Sequence, residues 1–150
     1  MKLLIPPPIY LLLALGLMWL LKHYMPLVSF QGFPWNIIGW SLIGIALAGD
    51  LYALALFLKA RTTFNPIKPH NSTQLVVTGS YRFSRNPMYL GMVLILGGWG
   101  LVLGAVSPFI VIPFFMWVLT EMQIKPEEAI LTERFGVEYQ TYLRQVRRWL

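Results

Sequence analysis

Residues 89–124 read YLGMVLILGGWGLVLGAVSPFIVIPFFMWVLTEMQI and carry a single formal charge, Glu121. This stretch decides the fold. It contains two apolar runs, about Tyr89 to Val106 and about Pro108 to Ile124, each near the roughly 17–25 residues a helix needs to cross the hydrocarbon of a bilayer. So few residues separate them that an antiparallel helical hairpin is expected. Gly91, Gly97, Gly98, Gly100 and Gly104 leave the first helix thin on one side, and close packing against another helix is their expected use. Ser107 is the expected N-cap of the second helix, and Pro113 its expected kink.

Two more runs precede the hairpin. The first, about Pro8 to Tyr24, follows the prolines Pro6 to Pro8, which a first helical turn tolerates because its N–H groups are unpaired anyway. Lys2 ahead of an apolar run also suits a signal peptide, but no small-x-small cleavage site follows Leu21, so a retained anchor is expected. The second, Ile37 to Leu58, comes after Trp35 as an interfacial anchor and Asn36 as N-cap. Within it, Gly44/Ala48 and Gly49/Ala53 are spaced for close helix approach and permit a homodimer.

Composition agrees. The 150-residue chain is 57% hydrophobic, with 12 basic and 6 acidic residues, where a soluble domain has about a quarter of its residues charged. The expected architecture is an all-α integral membrane protein with about four transmembrane helices, the hairpin and a C-terminal amphipathic interfacial helix. It forms one domain, 1–150, with two N-terminal helices in 1–58 and the polar and motif-bearing part in 59–150. Absence of cysteine excludes disulfides, thiolate nucleophiles and Cys-based metal sites. His23 and His70, expected in solvated connections, are too isolated to suggest a metal. A net charge of +6 in so apolar a chain suits anionic lipid headgroups or acidic small molecules rather than nucleic acid.

Four spans place the N-terminus, the 59–88 connection and the C-terminal segment on one side. That side holds Lys2, Lys59, Arg61, Lys68, Arg82, Arg85, Lys125, Arg134, Arg144, Arg147 and Arg148; the other holds Lys22. By the positive-inside rule both termini are expected in the cytoplasm. Of the 18 charged residues, five lie in 59–88 and ten in 121–150, so charge gathers at one interface. Residues 126–150 read as the amphipathic helix, with Tyr139, Tyr142, Leu143, Val146, Trp149 and Leu150 at helical spacing.

Two clusters can carry chemistry. Thr78 to Gly91 places Arg82, Arg85 and several hydrogen-bonding side chains at the start of the third helix. This suits an anionic group, or equally a basic anchor to headgroups. Glu127 and Glu128 follow the fourth helix, where acids complement a helix dipole, or where one accepts hydrogen bonds from a ligand while the other pairs with Arg82 or Arg85. The hairpin brings both clusters to one end. Asp50, the one acid in the second helix, is either functional or structural, and Glu121 faces the same interface.

The run Tyr81-Arg82-Phe83-Ser84-Arg85-Asn86-Pro87-Met88-Tyr89-Leu90-Gly91, then Glu127-Glu128 and Phe135-Gly136-x-x-Tyr139-x-x-Tyr142, resembles the isoprenylcysteine carboxyl methyltransferase and phospholipid methyltransferase families. Thr62-Thr63-x-x-Pro66 is similar as well, so the resemblance covers roughly 60 to 148. It implies a membrane enzyme that moves a methyl group from S-adenosylmethionine to a lipophilic acceptor: a prenylcysteine carboxylate, a phospholipid amine or a small thiol. Arg85, Asn86, Pro87, Tyr89 and Gly91 stand at the family's Arg-His-Pro-x-Tyr-x-Gly motif, with Asn86 replacing a histidine and Ser80 a common proline. The resemblance implies cofactor binding by these five with Tyr81, Glu127 and Glu128, and orientation of an acceptor carboxylate by Arg82 or Arg85. Asn86 has an amide donor and acceptor but cannot shuttle a proton near neutral pH. Gly98-Trp99-Gly100 resembles a phospholipid methyltransferase Gly-x-Gly, against which close helix packing is weighed.

Methyl transfer from a sulfonium is an in-line displacement that needs no metal or covalent intermediate, so alignment and water exclusion carry it. Aromatic faces of Tyr81, Phe83 or Tyr89 suit the sulfonium cation. Two other readings stand beside this one. A sterol-reductase-type membrane enzyme would use the arginines on NADPH phosphates, and a non-enzymatic transport or scaffold protein would use Asp50 as its coupling group.

Overall fold

In the computed structural model, residues 5–30, 32–59, 75 and 77–150 are described. Five α-helices dominate the described residues: α1 Pro7–Tyr24, α2 Trp35–Lys59, α3 Pro87–Leu103, α4 Val111–Leu119 and α5 Lys125–Gln145. Short 3-10 turns at Gly79–Arg82 and Ser107–Ile110 lead into α3 and α4, and a π turn, Thr120–Ile124, joins α4 to α5. No strand occurs among the described residues beyond an isolated bridge between Ser29 and Ala105.

The helices start and stop for local reasons. Pro7 and Pro87 open α1 and α3, where a missing N–H costs nothing. Gly104 closes α3 in the left-handed conformation, its N–H returning to the Gly100 carbonyl at 3.1 Å. The second helix begins earlier than expected: Trp35 and Asn36 are its first two residues, so Asn36 is not its N-cap. Ser107 caps nothing either; its hydroxyl is buried without a partner among the described residues. Pro113 lies in the first turn of α4, where proline is tolerated, rather than at a mid-helix kink. The irregularity comes before Pro126 instead. A proline there can neither donate to the carbonyl four residues back nor clear it, and the wider π turn takes up the misfit.

α2 and α3 form the most intimate pair, through glycines other than those expected. A Cβ on Gly98 would lie 2.6 Å from the Gly39 carbonyl oxygen, and one on Gly39 equally close to that of Gly98, whereas nothing lies within 4 Å of Gly44 or Gly49. Of the anticipated small-residue pairs only Ala53 is buried, and it packs against Tyr81 in the turn before α3 rather than against α3 itself. Gly98 and Gly100 serve packing, the latter against the Phe109 ring. The main core joins Ala14 and Met18 of α1, Tyr89, Met92 and Leu96 of α3, Val111, Phe115 and Leu119 of α4, and Ile124. At one end of the molecule the link after α1 meets the link after α3, with Phe30 N–H donating to the Gly104 carbonyl at 2.9 Å. The candidate site lies at the other end of α3. His23, rather than sitting in a solvated connection, is in the last turn of α1, stacked on Trp19.

Among the described residues two helical stretches are long and apolar enough to cross a membrane, Trp35–Leu56 and Ser107–Gln145; α3 is apolar but 17 residues long. Leu12, Leu13, Ile45, Leu51 and Ile110 are each about two-thirds exposed. Outward faces this apolar suit lipid rather than water. The amphipathic reading of the C-terminal segment needs correction. Gly136 interrupts α5 with a φ of 51°, and the helix ends at Gln145 because Val146 is extended. Val146, Trp149 and Leu150 therefore do not continue its apolar stripe; the segment turns back, and Trp149 packs against the main core.

Candidate functional site

The site is built where α3 begins and α5 begins. Gly79 starts the approach in a left-handed conformation (φ 61°), pressed so closely on α2 that a Cβ would lie 2.6 Å from a Leu56 methyl. The following 3-10 turn buries Tyr81, whose carbonyl accepts a 2.7 Å hydrogen bond from the Tyr142 hydroxyl. Burial pushes the Tyr81 phenol far above its usual range, so it stays protonated. Ser84 then folds the chain, its hydroxyl accepting from Asn86 N–H at 3.1 Å. Leu90 N–H bonds to the Asn86 carbonyl, and α3 is under way.

Both glutamates meet this segment. Glu127 Oε1 accepts from the Tyr89 hydroxyl at 2.7 Å and from Gln123 Nε2 at 2.8 Å. Glu128 is held differently. Arg148 Nε and Nη2 donate to its two oxygens at 3.0 and 2.7 Å, and Arg85 Nη1 approaches Oε1 at 3.2 Å. A forked guanidinium–carboxylate pair is among the strongest protein hydrogen bonds, and it holds Arg148 above its usual pKa range. Arg85 Nε is buried without a partner among the described residues.

Most of the sequence-derived site residues therefore converge. Tyr81, Arg85, Asn86, Pro87, Tyr89, Glu127 and Glu128 are gathered where these segments meet. Gly91 faces the other way, its Cα against the Asp50 carboxylate of α2, with no space for a Cβ. Arg82 and Phe83 are exposed. Arg61, Thr62, Thr63, Pro66, Lys68 and His70 lie outside the described residues. Arg148, Gln123 and Ser84 were not singled out from the sequence. Gln123, buried and four residues before Glu127, had a usable signal in its helical spacing. Arg148 had none, since its contact with Glu128 depends on the chain leaving α5.

A family model for phospholipid methyltransferases matches residues 35–138, from the start of α2 into α5. The chain belongs to the phospholipid methyltransferase family. Among its relatives, the protein-S-isoprenylcysteine O-methyltransferase of Schizosaccharomyces pombe is 26% identical over 117 residues, 76% of this chain and 50% of that protein. Protein-S-isoprenylcysteine O-methyltransferase A of Arabidopsis thaliana is 27% identical over 135 residues, 87% of this chain and 68% of that protein. An uncharacterized protein of Haemophilus influenzae is 43% identical over 63 residues, 42% of this chain and the whole of that one. The chain thus spans half the length of the Schizosaccharomyces relative. Family membership and the exposed apolar helices together assign the chain to a membrane.

Proposed function

We propose that this protein is a membrane methyltransferase that takes its methyl group from S-adenosylmethionine and passes it to a lipophilic acceptor. The convergence of Tyr89 on Glu127 and of Arg85 on Glu128 carries this reading. The residues fit the donor. Arg85 Nε is a buried N–H with no acceptor of its own, suited to the donor's carboxylate, and Glu127 Oε2 is suited to its hydroxyls or amino group. Bound there, the donor would supply an activated methyl on sulfur. Tyr89 and Gln123 hold the Glu127 carboxylate in place, Asn86 gives its amide oxygen as an acceptor, and burial of Tyr81 keeps water from that side. Glu128, saturated by two arginines, acts on the donor only through Arg85. Arg82, exposed at the rim, is placed to orient an anionic acceptor.

All four apolar runs cross the bilayer in this reading, with α3 and the segment after it as the hairpin, both termini in the cytoplasm and the acceptor arriving laterally between helices. A phospholipid amine, a prenylcysteine carboxylate and a small thiol are the acceptor classes to screen with radiolabelled donor in nanodiscs. Binding is tested by titrating the purified protein with S-adenosylhomocysteine and, separately, NADPH. Stabilisation by the first is the expected result. Stabilisation by NADPH alone, or an Arg85→Ala variant with unchanged affinity for S-adenosylhomocysteine, overturns the proposal.

A further inference from the structure

Segment 146–150 lies beyond the 35–138 stretch that the family model matches, yet it closes the candidate site by four separate contacts. The Arg147 carbonyl accepts Arg85 N–H at 3.0 Å. The Arg148 carbonyl accepts Asn86 Nδ2 at 3.0 Å and the Ser84 hydroxyl at 3.4 Å. The Arg148 side chain takes both oxygens of Glu128. Trp149 anchors the segment in the main core. Two adjacent motif residues and the second glutamate are thus held by one short piece of chain.

The arrangement matters for Arg85. A lone carboxylate beside an arginine ordinarily draws it into a forked, two-bond pair. Here Arg148 has already taken that geometry on Glu128, and Arg85 is left with a single contact at 3.2 Å and an unpartnered, buried Nε. We infer that Arg148 is a positioning residue: by occupying Glu128 it keeps the Arg85 guanidinium partly unspent and turned to an anionic group of the ligand, while its backbone carbonyl fixes the Asn86 amide so that the oxygen faces that ligand. The inference rests on the proposed donor-binding role of this site.

The test uses the full chain and S-adenosylhomocysteine as probe. Arg148→Ala weakens its affinity about tenfold, the worth of about one charge-assisted hydrogen bond. Arg148→Lys, which keeps the charge without the fork, falls between. Arg144→Ala, which removes an exposed charge from α5, leaves affinity unchanged and so separates positioning from net charge. Because Arg148 acts through Glu128, the Arg148→Ala/Glu128→Gln double variant loses little more than either single variant. Additive losses, or an Arg148→Ala protein that binds like wild type, overturn the inference. If the wild-type protein binds no S-adenosylhomocysteine, the donor reading fails by itself. The clasp is then judged by hydrogen exchange at the Arg85 amide, which Arg148→Ala is expected to accelerate; unchanged protection overturns the clasp as well.

Discussion

Changing Glu128 to Gln alters one atom and one charge at the point where two guanidinium groups meet. Arg148 donates to both carboxylate oxygens, at 3.0 and 2.7 Å, and Arg85 stands 3.2 Å from one of them. Glutamine keeps one acceptor but turns an NH₂ toward an arginine N–H, so one bond becomes a donor facing a donor. Hydrogen bonds to charged groups contribute about 1.5–3 kcal/mol each. The Arg85 side chain, 12% exposed, feels the lost carboxylate charge in full, whereas Arg148, at 33%, recovers part of its share from water. The net cost is about 2–3 kcal/mol, below the full penalty for breaking a buried ion pair. For a chain of about this size that corresponds to a Tm lower by about 4–12 °C. Thermal melts in detergent followed by tryptophan fluorescence measure it, and calorimetric titration with S-adenosylhomocysteine should show affinity reduced about tenfold. A Tm within about 1 °C of wild type would show that the triad contributes nothing to stability and refute the reasoning.

Three further outcomes are expected. Tyr89→Phe removes the 2.7 Å bond to Glu127, costs about 1.5–3 kcal/mol there and should weaken S-adenosylhomocysteine binding in the same calorimetric assay; equal affinity would rule Glu127 out as a ligand. Gly98→Ala forces a Cβ to 2.6 Å from the Gly39 carbonyl and should destabilise the fold by about 1–3 kcal/mol, while Gly44→Ala, with nothing within 4 Å, should melt at or above the wild-type temperature. Finally, the chain has no cysteine, so single-cysteine variants need no cleared background. An impermeant maleimide should label Phe83→Cys from the cytoplasmic face and Val28→Cys from the opposite one; labelling of both from one face contradicts the proposed topology.

By itself the sequence determined what depends on chain-local properties. Apolar run lengths located the helices to within a few residues, and the gathering of charge into 59–88 and 121–150 marked the end of the molecule where polar chemistry sits. Arg85, Tyr89, Glu127 and Glu128, quoted together from the sequence, do meet in the fold, Tyr89 on Glu127 and Arg85 on Glu128. Only the tertiary structure decided which partner each group takes. Gly39 and Gly98 rather than Gly44 and Gly49 set the α2–α3 approach, since every glycine in an apolar helix looks alike until the helix rotation is known. Arg148 read as one more charge on an amphipathic helix. Helical continuation carries such a residue away from the start of α5, and its place on Glu128 exists because the extended Val146 reverses the chain and Trp149 finds the core. That reversal makes Glu128 the anchor of two arginines while Glu127 takes Tyr89 and Gln123; the sequence suggested that one glutamate pairs with an arginine, but two adjacent, chemically identical residues cannot reveal which.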